Sequence, residues 1–115
     1  MKSAYTLKKN TDFRRMYAKG KSCSNRYLVV YCRRNGSNVN RMGYTVSTKL
    51  GGAVVRNRVR RRLREIARLN MPRLKTGRDI VIVARSRAVD ASYAELDKAY
   101  LSACTALGLM KEEES

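Results

Sequence analysis

The sequence predicts an α+β domain in which three helices pack on one sheet. Three observations predict it. Apolar residues recur at helical spacing in two long stretches, one from Ala53 to Asn70 and one from Ser92 to Leu107. Between and before them lie β-branched and aromatic runs of strand length. The elements follow the order helix, strands, helix, strand, helix, with no internal repeat and no interdomain linker, so the 115 residues read as one domain, 1–115.

The first helix is short. Asn10 or Thr11 can cap it, Asp12 suits its positive end and Gly20 can end it. Phe13 and Tyr17 stand four residues apart and share a face, with Lys9 one turn earlier on the same side. The run Arg26 to Arg34 reads as a strand in which Leu28, Val30 and Cys32 point one way and Tyr27, Val29 and Tyr31 the other. Lys21 to Ser24 can add a short leading strand. Asn35-Gly36-Ser37-Asn38 is a turn, followed by a strand from Arg41 to Ser47.

The second helix begins near Ala53, and Asn70 with Pro72 marks its stop. Val55, Val59, Leu63 and Ile66 fall in one arc of about 80° and form its core side. Arg58, Arg60, Arg61, Arg64 and Arg68 cover the opposite side; Arg62 falls inside the apolar arc and Arg56 at its edge, where either can snorkel or reach across a groove. Asp79 to Arg85 is a continuous apolar run suited to a strand covered on both faces. In the last helix Ser92 and Glu95 fit a capping box, Tyr93, Leu96, Tyr100, Ala103 and Leu107 make a core stripe, and Gly108 suits the C-terminal cap. Residues 111–115 are expected to form a frayed acidic tail.

Charge decides the class of partner. Lys and Arg total 26 against 9 Asp and Glu, a formal net charge of +17, and three of the acids are Glu112, Glu113 and Glu114 in the tail. A domain this cationic favours phosphate-rich partners through counterion release. A membrane surface would attract it too, but the basic residues are spread over several elements rather than one amphipathic segment. No apolar run approaches the ~20 residues that span a bilayer, and Met1 to Thr6 carries no apolar segment of a secretory signal. With no histidine and three cysteines, Cys23, Cys32 and Cys104, none in a CxxC pair, the common zinc sites are excluded and reduced cytoplasmic thiols are expected.

The residues offer little for catalysis. Asp12, Glu65, Asp79 and Asp90 sit at or near element ends or beside arginines, as caps or charge partners; Glu95 and Asp97, two apart on a helix, do not face each other. Gly51-Gly52 before the second helix resembles a phosphate cradle, but no GxxxxGK[ST] follows. A tight turn and close backbone approach to a ligand at the helix start remain as its roles.

Binding is the stronger reading. Seven of the thirteen residues from Arg56 to Arg68 are arginine and Glu65 is the only acid. A solvated helix face usually mixes charge signs; here Arg56/Arg60, Arg60/Arg64 and Arg64/Arg68 repel at i,i+4, at about 0.2–0.5 kcal/mol each. Phe13, Tyr17 and Tyr31 have two readings, core packing or a stacking platform for unpaired bases. Charge alone does not separate RNA from DNA.

The run Lys49-Leu50-Gly51-Gly52-Ala53-Val54-Val55-Arg56-Asn57-Arg58-Val59-Arg60-Arg61-Arg62-Leu63-Arg64-Glu65 resembles the signature of the bacterial ribonuclease P protein component, Lys-x-Gly-x-Ala-Val-x-Arg-Asn-Arg followed by further basic residues. Leu7 to Asn10 with Asp12-Phe13, Asn25-Arg26 leading to Tyr31, and Ile80 to Arg85 match the same family, so the resemblance covers nearly the whole chain. One departure is Gly52, where the family usually has asparagine.

The resemblance implies a single-domain α/β sandwich with one mixed sheet of about four strands, three helices and a left-handed βαβ crossover. It implies a protein subunit that binds a catalytic RNA and the 5′ leader of precursor tRNA and promotes endonucleolytic removal of that leader, the chemistry belonging to magnesium held by the RNA. No catalytic residue, metal site or cofactor is then expected in the protein itself, nor a membrane or a stable protein partner. Carried onto this sequence, the side toward the catalytic RNA is Lys49, Arg56, Asn57, Arg58, Arg60, Arg61, Arg64 and Arg68, and the leader cleft is Lys9, Phe13, Tyr17 and Tyr31. The competing class is a ribosomal or other structural RNA-binding protein.

Overall fold

The sheet is centred on β5 (Arg78–Ala84), as its unbroken apolar run requires. A computed structural model describes residues 4–6 and 10–111, with side chains from residue 13 onward. Lys9 and residues 112–115 lie outside the described residues, as do the side chains of Asn10, Thr11 and Asp12. On one side β5 pairs in parallel with β4 (Asn40–Thr45), and on the other it pairs antiparallel with β3 (Leu28–Arg34). Outside these, β2 (Lys21–Ser24) runs antiparallel to β3 and β1 (Ala4–Thr6) runs parallel to β4. The order across this mixed five-stranded sheet is β1-β4-β5-β3-β2. The leading strand is therefore present, and β1 is a fifth strand that three residues without alternation do not announce.

The two sheet faces are covered differently. On one, Leu28, Val30, Met42, Ile80 and Ile82 form the main core with α2 (Ala53–Asn70) and α3 (Tyr93–Ala106), which contribute Val59, Leu63, Ile66, Leu96, Tyr100 and Ala103. Full burial of each such aliphatic side chain contributes about 1.5–3 kcal/mol. On the other face α1 (Asn10–Lys19) lies across β3 and β5, and Met16 and Val81 form a smaller cluster with Phe13, Tyr31 and Val83. The strand β4, the helix α2 and the strand β5 make a parallel βαβ unit with neighbouring strands.

The predicted helix bounds hold closely: α2 starts at Ala53 and ends at Asn70, and the Ser92 capping box starts α3. Gly108, in the left-handed region at φ 72°, follows the end of α3. Chain order persists to Met110, which bridges to Leu74, and to Lys111, whose N–H donates to the Arg73 carbonyl at 2.8 Å.

Two side chains depart from expectation. Tyr27 does not follow the alternation of β3. The Asn25 side-chain oxygen accepts from the Tyr27 and Leu28 N–H groups at 3.1 and 3.0 Å, so a turn delays the strand to Leu28. Tyr27 then packs against the main core, and its hydroxyl donates to Glu95 at 2.7 Å. Tyr93 was expected in the core stripe but is 40% exposed. As the first residue of α3 it stays at the surface near Glu65 and Arg68 of α2.

Candidate nucleic-acid interface

The α2 surface sorts its arginines by what they touch. Gly51, at φ 147°, turns the chain into the helix, and a Cβ there would come within 3.1 Å of the Val55 side chain. Gly52 is the N-cap, in extended conformation and without a side-chain cap, so the first-turn N–H groups of α2 are left to outside acceptors. Arg56, at the edge of the apolar arc, folds back so that its Nε donates to the Gly51 carbonyl at 3.2 Å. Arg62, inside the arc, reaches across to donate to the Ala91 carbonyl at 3.2 Å. Arg62 thus reaches across to a neighbouring segment while Arg56 does not, and both bonds serve the fold.

Farther along, Arg68 donates twice to Glu65, at 2.8 and 3.3 Å, which neutralises it locally. Arg60 donates to the Asn57 side-chain oxygen at 3.1 Å, one turn back. Arg58, Arg61 and Arg64 remain exposed, and among the described residues none of them makes an ion pair or side-chain hydrogen bond. They step along the helix at i,i+3 as a cationic line, with exposed Lys49 in the short 3-10 turn that leads to its start.

The opposite sheet face carries the aromatic group. Tyr17 and Tyr31 meet edge to face with ring centroids 4.9 Å apart, and Phe13 lies 6.4 Å from Tyr17. Thr45 at the end of β4 completes the group through a 3.0 Å hydrogen bond between its hydroxyl and that of Tyr17. Phe13 and Tyr31 are half-buried and Tyr17 is 42% exposed, so the rings sit on the apolar floor of Met16 and Val81 yet keep open surface. Both sequence readings therefore apply to the same residues. Lys9, placed with them by sequence, lies outside the described residues.

Sequence reasoning missed Thr45, which nothing in its local pattern marks. It also missed a second basic group, Arg15, Arg33, Arg34 and Arg41, which comes from three different elements. Two of the four acids expected as caps or charge partners are so placed, Asp79 holding Arg41 and Glu65 holding Arg68, while the Asp12 side chain lies outside the described residues; Glu95 closes the capping box. Among the described residues no three His, Cys, Asp or Glu side chains are placed to hold a metal ion, and no helix is long and apolar enough to cross a membrane.

Comparison with known proteins gives a consistent result. The sequence profile of the family described as Ribonuclease P matches residues 1–108. The ribonuclease P protein component of Alkaliphilus oremlandii is 50% identical over 101 residues, 88% of this chain and 89% of that protein. That of Clostridioides difficile is 48% identical over 93 residues, 80% of this chain and 82% of that protein. Among solved structures, the Staphylococcus aureus RNase P protein superposes with a TM-score of 0.85 at 34% identity, over 93% of this chain and 98% of that one. The Thermotoga maritima RNase P protein gives 0.78 at 33% identity, over 84% and 92%. The profile match over residues 1–108, relatives covered over most of their length and the shared fold agree, and this chain belongs to the ribonuclease P protein family.

Proposed function

We propose that this chain is the protein subunit of a bacterial ribonuclease P, acting in the cytoplasm. It binds the catalytic RNA through α2 and the single-stranded 5′ leader of precursor tRNA through the aromatic cleft, and it promotes endonucleolytic removal of the leader to give mature tRNA 5′ ends. One observation carries the reading: a cationic helix and an aromatic cleft occupy opposite faces of one sheet. A small domain so built can hold two RNA segments at once.

In this reading Arg58, Arg61 and Arg64 meet phosphates of the catalytic RNA, with Lys49 and the uncapped start of α2 at the leading end. Asn57 and Arg60, bonded to each other, present one amide–guanidinium unit. Arg56 orients the helix start, and Arg68 contributes least because Glu65 already holds it. Phe13, Tyr17 and Tyr31 stack leader bases. Magnesium bound by the RNA supplies the hydrolytic chemistry; this chain positions both RNAs and donates no catalytic group.

The test adds purified protein to a cognate catalytic RNA and precursor tRNA at low magnesium. A gain in 5′ cleavage is expected. No gain would return the chain to the class of structural RNA-binding proteins, and cleavage without the RNA would make it a nuclease in its own right.

A further inference from the structure

The cleft uses only one side of α1. On the other side a hollow of about 250 Å³ opens between α1, the end of β3 and the starts of β4 and β5, lined by Arg15, Arg33, Arg34, Arg41, Asn35 and Asp79, with Met16 of the cleft floor as the wall the two share. Its position follows from register. Arg33 of β3 and Arg41 of β4 both pair with Asp79 of β5, two residues from the Tyr31–Val81 pair beneath the cleft and on the same sheet face. Two residues along a strand are about 7 Å.

The hollow is built around one buried carboxylate. Asp79, 8% exposed, accepts from Arg41 Nε at 2.8 Å and Nη2 at 2.6 Å and from Asn35 Nδ2 at 3.0 Å. That carboxylate is spent in fixing Arg41. Among the described residues, Arg15, Arg33 and Arg34 make no ion pair. Among the described residues, four guanidinium groups thus converge on a space with one acid, Asp79, on its floor, an excess of positive charge that favours an anion. Guanidinium forks match phosphate oxygens in geometry. No aromatic ring lines the hollow, so it is suited to hold a backbone and not to stack a base.

We propose that this hollow is a second phosphodiester-binding site, distinct from the aromatic cleft and from the α2 face, that takes a backbone phosphate of bound RNA. For the identity of the RNA it rests on the subunit reading above. Two sources present this chemistry, the precursor leader passing around α1 and the catalytic RNA.

The test uses the full chain carrying Arg15→Gln and Arg34→Gln, both at exposed positions, which leaves the Arg41–Asp79 pair in place. Inorganic phosphate titrated into 15N-labelled protein should give saturable amide shifts at Arg33, Arg34 and Asn35 that the double variant loses. No saturable shift, or the same shift in the variant, overturns the site whatever RNA the protein serves. In the reconstituted complex, affinities for the catalytic RNA and for precursor tRNA are then measured against salt. A log–log slope lowered by about 0.7 for each lost single-strand contact assigns the phosphate to the catalytic RNA in the first arm and to the leader in the second. Unchanged slopes in both arms overturn the proposal. Arg58→Gln with Arg64→Gln is the reference: if it flattens a slope while the hollow variant does not, the hollow alone fails; if neither changes any slope, the subunit reading falls with it.

Discussion

The Tyr17 hydroxyl lies 3.0 Å from the Thr45 hydroxyl, tying the last turn of α1 to the end of β4 across the rim of the aromatic cleft. This bond holds the Tyr17 ring at an edge-to-face angle against Tyr31. Tyr17→Phe keeps the ring and its packing and should leave leader binding nearly unchanged. Phe13→Ala or Tyr31→Ala removes a stacking surface of about 1–3 kcal/mol per base, roughly 5- to 150-fold in affinity. Equilibrium binding to precursor and mature tRNA checks this; the loss should appear with the precursor, and equal losses for both would make these rings packing residues only.

The arginines of α2 should separate by experiment. Arg58→Gln, Arg61→Gln and Arg64→Gln should each lower the salt dependence of catalytic-RNA binding by about 0.7–0.9 in log–log slope with little effect on melting. Arg62→Gln should do the reverse, because its guanidinium closes a hydrogen bond to the Ala91 carbonyl; about 1 kcal/mol of stability is at stake. Thermal denaturation and salt titration of the same set test the division.

The two glycines before α2 should respond oppositely. Gly51→Ala places a Cβ 3.1 Å from Val55 at φ 147° and should cost about 1–3 kcal/mol. Gly52→Asn meets open space in an extended conformation and gives α2 the side-chain cap it lacks. A gain of a few tenths of a kcal/mol, about 0.3, is expected. Chemical denaturation of both variants measures this.

Stability should fall on the alkaline side through buried groups. Burial pushes the Cys104 thiol from 9.0 up to about 12 and the Tyr44 hydroxyl from 10.0 up to about 12. Burial also raises Tyr100, whose hydroxyl lies against Cys104 without a well-formed hydrogen bond. The folded chain keeps these protons while the unfolded chain releases them. Their contribution is therefore intact below about pH 9 and declines from there toward pH 12. On the acid side Glu95 is lowered from 4.5, first by the hydrogen bond it accepts from the Ser92 backbone N–H and then by that from the Tyr27 hydroxyl. Its contribution is present above that value and is lost as pH falls through the lowered one. Denaturation midpoints between pH 3 and pH 11 give both limbs; a midpoint rising above pH 9 would contradict the first.

The native thiols should differ in reactivity at pH 8. Cys32 and Cys104 are buried with raised pKa, so alkylation followed by mass spectrometry should leave them unmodified while the half-exposed Cys23 reacts. Ready modification of Cys104 in folded protein would contradict its packing.

Local signals were enough wherever one element decides the outcome. The α2 bounds, the Ser92–Glu95 capping box and the outward line Arg58, Arg61 and Arg64 follow from periodicity and cap chemistry. Other features depend on what topology brings together. Tyr27 turns to the α3 side because Asn25 bonds its backbone, and no alternation rule contains that bond. Tyr93 is exposed because the packing turn of α3 begins after it. Arg56 and Arg62 sit near the apolar arc by spacing, but their acceptors, Gly51 and Ala91, lie in the turns flanking the helix and β5. The arginine hollow needs α1, β3, β4 and β5 at once, so only the register across β5 reveals it.

The βαβ unit also fixes a length. Because α2 is the crossover between neighbouring strands, both its ends are tethered to the centre of the sheet whose other face carries the cleft. The α2 surface and the cleft are therefore held at a fixed separation. If each holds its RNA, the domain acts as a caliper: the number of nucleotides between the leader bases stacked on Tyr31 and the site of cleavage is set by the thickness of one sheet and the helix behind it.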